Sequence, residues 1–248
     1  MMRAPLILAA IVLAALTLPA GAQEISLSLG GSEGGSLAGR GVQLILLITV
    51  LSLAPGLAIM VTCFPFIVTV LAILRQAIGL QQSPPNMLLV SLALFLTYFV
   101  MEPTFTQAWQ EGVTPLIEET LPVEQAIPRI IDPFRAFMAA RAEVDTFDTL
   151  AALRPQTDPD VPMAEAPLSV LVPSFMLSEI GRAFEIGFLI FLPFLIIDLV
   201  VAAILMSMGM MMVPPVMVSM PFKLAFFVVA DGWTLISEAL VRGYFPTG

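Results

Sequence analysis

Four stretches of the chain are apolar and nearly free of charge, and polar segments of different character separate them. The first runs from Gly41 to Leu74, 34 residues without a charge. A bilayer core needs about 20 apolar residues in a helix, so this run is too long for one upright span. Pro55-Gly56 and Pro65 are expected to kink or break it. Arg75 ends it, and a polar turn leads through Pro84-Pro85 to Asn86. Met87–Met101 is the second run; its 15 residues are short for a span and suit packing against other protein. The third, Ile186–Met212, is interrupted by Pro193 and charged only at Asp198. The fourth, Leu224–Val241, contains Asp231 and Glu238. With no period-2 strand pattern of useful length, the expected fold is all-α: kinked hydrophobic helices in two hairpin-like pairs, associated with a membrane.

Glu102–Leu168 differs in kind, with 12 acidic and 4 basic residues and a net charge of −8. Ile127, Ile130, Ile131, Phe134, Phe137 and Met138 recur there at helical spacing, which predicts an amphipathic helix. Asp145 is expected to cap a shorter helix carrying Phe147, Leu150 and Leu153. Arg154–Ala166, rich in Pro and Asp, reads as a loop. The whole reads as a small acidic, helical, extracytoplasmic insert.

Composition narrows the function. The chain is 58% apolar and 12% charged, where soluble domains carry about 25% charge. It has no histidine, which removes His-based nucleophilic sites and His-ligated metals. Its one cysteine, Cys63, cannot form an intrachain disulfide. No phosphate-binding loop, paired-Cys metal motif or basic nucleic-acid patch is present, so no cofactor, no metal and no nucleic-acid partner is expected.

Met1-Met2-Arg3, the apolar Leu6–Leu18 and Ala20-Gly21-Ala22 together read as a cleavable signal peptide; an uncleaved anchor helix is the other reading. The expected organisation is a signal peptide (1–22), a flexible Gly/Ser-rich leader (23–40), N-terminal hydrophobic helices (41–101), the acidic insert (102–180) and a C-terminal hydrophobic hairpin (181–248). Arg75 and Lys223 lie in short loops and are expected on the cytoplasmic side. Four crossings then put the insert and the C-terminus outside.

Residues 206–220 hold seven of the chain's fifteen methionines. Methionine is flexible and polarizable, so it can close a deformable apolar gate, or simply fill gaps between helices. Asp198 is a carboxylate in an apolar run, and such a group needs a named partner. Lys223, the only lysine, lies just past the turn and is the candidate; a protonated Asp198, or one bonded to backbone or water, is the alternative. Asp231 reads as a helix-packing contact or an ion-path residue. Glu179, Arg182 and Glu185 stand at helical spacing and read as a solvated or intersubunit charge cluster.

Several long motifs occur in a fixed order: Val50-Leu51-Ser52-Leu53-Ala54-Pro55, Leu74-Arg75-Gln76-Ala77-Ile78-Gly79, Gln81-Gln82-Ser83-Pro84-Pro85-Asn86, Phe191 through Val200, Met208 through Pro215, Pro221-Phe222-Lys223-Leu224 and Asp231-Gly232-Trp233. Together they resemble the FliP family of flagellar biosynthetic proteins over about residues 42–101 and 170–241. The resemblance implies a non-enzymatic core subunit of the flagellar type III export gate in the bacterial cytoplasmic membrane, at the flagellar basal body. Several copies would join FliQ-like and FliR-like subunits around a pore for unfolded flagellar proteins, with FlhB and FlhA alongside. It assigns the pore gasket to Met210, Met211 and Met212, with Met206 and Met208 as neighbours. It also implies that helices marked by hydropathy are largely lifted from the bilayer plane in the assembly. One departure stands out: Pro65-Phe66 replaces the polar and basic pair expected after Phe64. The equivalent subunit of a virulence injectisome is the nearest alternative. A proton-coupled transporter using Asp198 and Asp231 is the alternative from another class.

Overall fold

A computed structural model describes residues 37–80, 84–154 and 161–245 of the chain. The expected signal peptide, and all of the expected leader but its last four residues, lie outside these. Among the described residues every regular element is a helix. Residues 50–248 form the compact unit that carries the features discussed below, apart from the first part of the first helix.

Helix α1, Leu37–Met60, contains Pro55, and Val42 through Leu53 are all exposed. An uncharged, fully exposed helical face is stable only in an apolar surrounding, and Gly41–Met60 is long and apolar enough to cross a membrane. The long first run breaks at Val61–Cys63, and Pro65 begins the next helix instead of interrupting one. Its missing N–H has no intrahelical partner to lose in the first turn. Helix α2, Phe64–Ile78, ends at Gly79, which takes the left-handed conformation (φ +88°) and donates its N–H to Gln76 O at 3.0 Å. Phe66, Ile67, Val70, Leu71 and Leu74 face inward along it, and this face is the centre of the main core.

Helix α3, Asn86–Ala108, runs past Met101, where the apolar run stops. It continues through a π-helical turn, Trp109–Val113, into the short α4, Thr114–Ile117. Hydropathy marks the preferred solvent and not the end of a helix, so Glu102 does not interrupt it. Helix α5, Val123–Arg141, is the expected amphipathic helix, but Ile127 is exposed and Ala126, Pro133 and Met138 are buried. Helix α6, Val144–Ala152, buries Phe147 and Ala151. Its N-cap is Glu143; Asp145 lies inside the first turn and caps nothing, and Leu153 is exposed beyond the end.

Helix α7, Leu168–Ser207, is continuous for 40 residues and contains Pro173 and Pro193. It starts well before the third apolar run, because its first half is held by α5 and α6 through Leu171, Phe175 and Val170. Helix α8, Pro215–Val229, and helix α9, Gly232–Arg242, split the fourth run at Ala230-Asp231 with a 63° bend. Among the described residues three helices are long and apolar enough to cross a membrane, or four if the bent α8–α9 pair is one span.

Candidate functional site

Helix α7 ends in a built turn. Gly209 takes φ +73° and donates to Met206 O at 3.1 Å, while Met210 N donates to Leu205 O at 2.9 Å. Glycine is the residue that adopts this left-handed position without strain. Pro214-Pro215 then stops any continuation and starts α8. The outcome is that Met206, Met208, Met210, Met211 and Met212 all stand exposed at one end of the α7–α8 pair, Met212 almost completely at 98%. They do not fill gaps between the helices of this chain.

Behind the turn, Lys223 Nζ lies 2.6 Å from Asp198 Oδ2 and donates to Ala77 O at 3.1 Å. Ser219 Oγ donates to Asp198 Oδ1 at 2.5 Å. One knot therefore joins α2, α7 and α8. Lys223 is 3% exposed, and a buried ammonium is tolerated only when paired and hydrogen-bonded. Antiparallel packing of α7 on α8 brings the two charges level.

A second cluster forms near the start of α7. The Glu179 side chain is completely buried. Its Oε1 accepts from Arg182 Nη1 at 2.7 Å and Arg141 Nε at 3.2 Å, and its Oε2 accepts from the Tyr244 hydroxyl. This corrects the reading of Glu179 as solvated: its partners are within the chain. Glu185 is exposed and takes no part. Arg141 and Tyr244 were missed by sequence reasoning, since one ends α5 and the other lies 65 positions beyond Glu179. The only signal was that Tyr244 is one of two tyrosines. Burial, reinforced by the Glu179 charge, raises the Tyr244 phenol well above its ordinary range.

Asp231 lies at the α8–α9 break in the left-handed conformation (φ 48°, ψ 49°) and not inside a helix. Its Oδ1 accepts from Thr234 Oγ1 at 3.2 Å. Phe66, part of the Pro65-Phe66 departure, is buried and meets the Tyr244 ring edge-on, with centroids 5.7 Å apart. No group of three or more acidic, Cys or His side chains suited to a metal occurs among the described residues. An open, mostly apolar groove of about 650 Å³ separates α3 from α9, with Leu92, Phe99 and Trp233 on its walls.

Comparison with known sequences bears on what such an arrangement serves. A sequence model of the FliP family matches residues 47–240. The chain is 49% identical over 239 residues to the flagellar biosynthetic protein FliP of Caulobacter vibrioides, covering 96% of this chain and 89% of that protein. It is 50% identical over 215 residues to the protein of that name from Agrobacterium fabrum, covering 85% and 86%. For the Bacillus subtilis protein the identity is 45% over 203 residues, covering 82% and 91%.

Proposed function

The chain belongs to the FliP family, and on that premise we propose that it is a pore-forming subunit of the flagellar protein export gate, embedded in the bacterial cytoplasmic membrane. Several copies assemble with FliQ-like and FliR-like subunits, next to FlhB and FlhA, and unfolded flagellar proteins pass between them. The methionines of the α7–α8 turn close the pore. The observation that carries this reading is their exposure: a cluster of thioethers stands at the tip of two apolar helices, on a turn shaped by Gly209, Pro214 and Pro215, above a charge knot that braces it. Soft, unbranched side chains at such a tip can meet their copies and adapt to variable cargo.

The proposed topology has structural support. Glu179 and Ser207 are 28 residues apart on α7, roughly 40 Å of helix, against a hydrocarbon core of about 30 Å. Tyr244 sits beside Glu179, whereas the Met-rich turn lies at the far end of α7. That arrangement separates the insert and the C-terminal residues from the turn and Lys223 along α7; the basic-residue rule applied to Arg75 and Lys223 assigns the turn to the cytoplasm and the insert to the outside. The names of the relatives favour the flagellar system over an injectisome.

The test is native mass spectrometry of the protein co-expressed with FliQ-like and FliR-like partners, followed by solute leak through reconstituted complexes. A discrete hetero-oligomer is expected, with increased leak when Met210, Met211 and Met212 are replaced by Ala. A monomer indifferent to those partners overturns the assembly. An unchanged leak in assembled complexes overturns the gasket.

A further inference from the structure

Helix α9 meets the main core along one edge, through Leu240 with Ile236 and Val241 beside it. Gly232 and Leu240 are its only buried residues, Leu235 is exposed, and an open groove lies between it and α3. Immediately beyond it, three residues contact four other helices. The Tyr244 ring meets Phe66 of α2 edge-on and stacks on Phe137 of α5 with centroids 6.1 Å apart. The Arg141 guanidinium lies 4.2 Å from the centre of the same ring, and its Nη1 donates to Gly243 O at 2.8 Å. The Tyr244 hydroxyl donates to Glu179 of α7, and Phe245 packs edge-on against Phe99 of α3.

We propose that Gly243–Tyr244–Phe245 is a C-terminal latch, in which Tyr244 is the positioning residue that fastens the end of α9 to the Glu179–Arg141 cluster. The receptor for the latch is built from side chains of α5 and α7. Arg141 and Arg182 both hold Glu179 Oε1, which fixes the carboxylate and leaves Oε2 turned to the chain end. Arg141 serves both parts, as ion-pair partner of Glu179 and as the group that holds the Gly243 carbonyl and covers the ring. The buried phenol, with its raised pKa, keeps its proton and remains a donor throughout the ordinary pH range. A phenylalanine at 244 would keep the ring contacts and leave a buried carboxylate oxygen without its donor. The latch therefore ties the α8–α9 segment to the acidic insert, and it does so whether or not the chain lines a pore.

Trypsin tests this on the full chain in detergent. Cleavage after Arg242 requires the latch to open, whereas cleavage after Arg129 in α5 reports opening of the insert. Where opening is fast, the cleavage rate follows the open population. Loss of a hydrogen bond to a charged group should increase that population roughly tenfold to a hundredfold. Tyr244→Phe is expected to speed release of the last six residues by that factor, with the Arg129 rate unchanged; Tyr244→Ala should speed it further. Wild-type release rates in Tyr244→Phe overturn the proposal. So does parallel acceleration at Arg129, which would mean general loosening. Because Tyr244→Phe removes one oxygen atom, it keeps the test decisive if Tyr244→Ala fails to fold.

Discussion

Lys223 reaches back across the α7–α8 turn to Asp198, 25 positions earlier, and the two charges lie 2.6 Å apart in a setting where Lys223 is almost wholly buried. Neither group is stable there alone. The Ala77 carbonyl and the Ser219 hydroxyl complete the set, so the ion pair also holds α2 against the hairpin.

Lys223→Met should therefore destabilise the folded chain by about 3 kcal/mol, the lower end for a broken buried pair, because Asp198 keeps a quarter of its side chain exposed. The double variant Asp198→Leu with Lys223→Met should recover most of that loss. Unfolding of the detergent-solubilised protein by denaturant measures both. Equal destabilisation by the single and double variants would contradict the pairing energetics.

Gly112 and Gly187 permit close helix contacts, and they should differ in tolerance. A Cβ at Gly112 would stand 2.9 Å from the Ile130 backbone nitrogen, and backbone yields little. A Cβ at Gly187 would meet only the Ile73 side chain, at 2.4 Å from Cδ1. Gly112→Ala is expected to cost about 2–3 kcal/mol as overpacking. Gly187→Ala should cost less, and Ile73→Ala in the same chain should relieve it. Thermal unfolding of the variants checks the order.

Asp231 occupies a left-handed backbone position, which Asn and Gly accept more readily than Ala. Asp231→Asn and Asp231→Gly should stay within about 0.5 kcal/mol of the parent, while Asp231→Ala should lose about 1 kcal/mol. A large loss in Asp231→Asn would instead point to a role for the charge. Calorimetry on the three variants distinguishes the outcomes.

The Tyr244 phenol is held above its ordinary value of 10.0 by burial and by Glu179. As pH rises past 10 the unfolded chain loses the proton first, so stability falls with pH in that range. In a Tyr98→Phe background, phenolate absorbance should appear only together with loss of helical circular dichroism. Titration of the phenol while the helices remain intact would contradict the buried, hydrogen-bonded state.

Much was legible in the chain. The apolar runs, the amphipathic pattern of α5, the break near Pro65 and the Met-rich turn all depend on neighbours within a few residues. Local patterning reports such features because hydropathy, helical period and proline geometry act over one or two turns. The motifs that resemble the FliP family were equally local, and they carried the functional reading.

Tertiary packing decided the rest. Helix ends did not follow the ends of apolar runs: α3 continued through Glu102, α7 began at Leu168, and the last run split at Asp231. A helix persists wherever neighbouring helices reward it, whatever its own hydropathy. Glu179 read as one of three solvated or intersubunit charges, yet Arg141 and Tyr244, 38 and 65 positions away, made it a buried acceptor and left Glu185 outside. Local patterning by itself determined that this chain is helical and apolar and carries a Met-rich turn. Which charges are buried together was decided only where the helices cross, because a carboxylate's partners are set by distance in space and not by spacing in sequence.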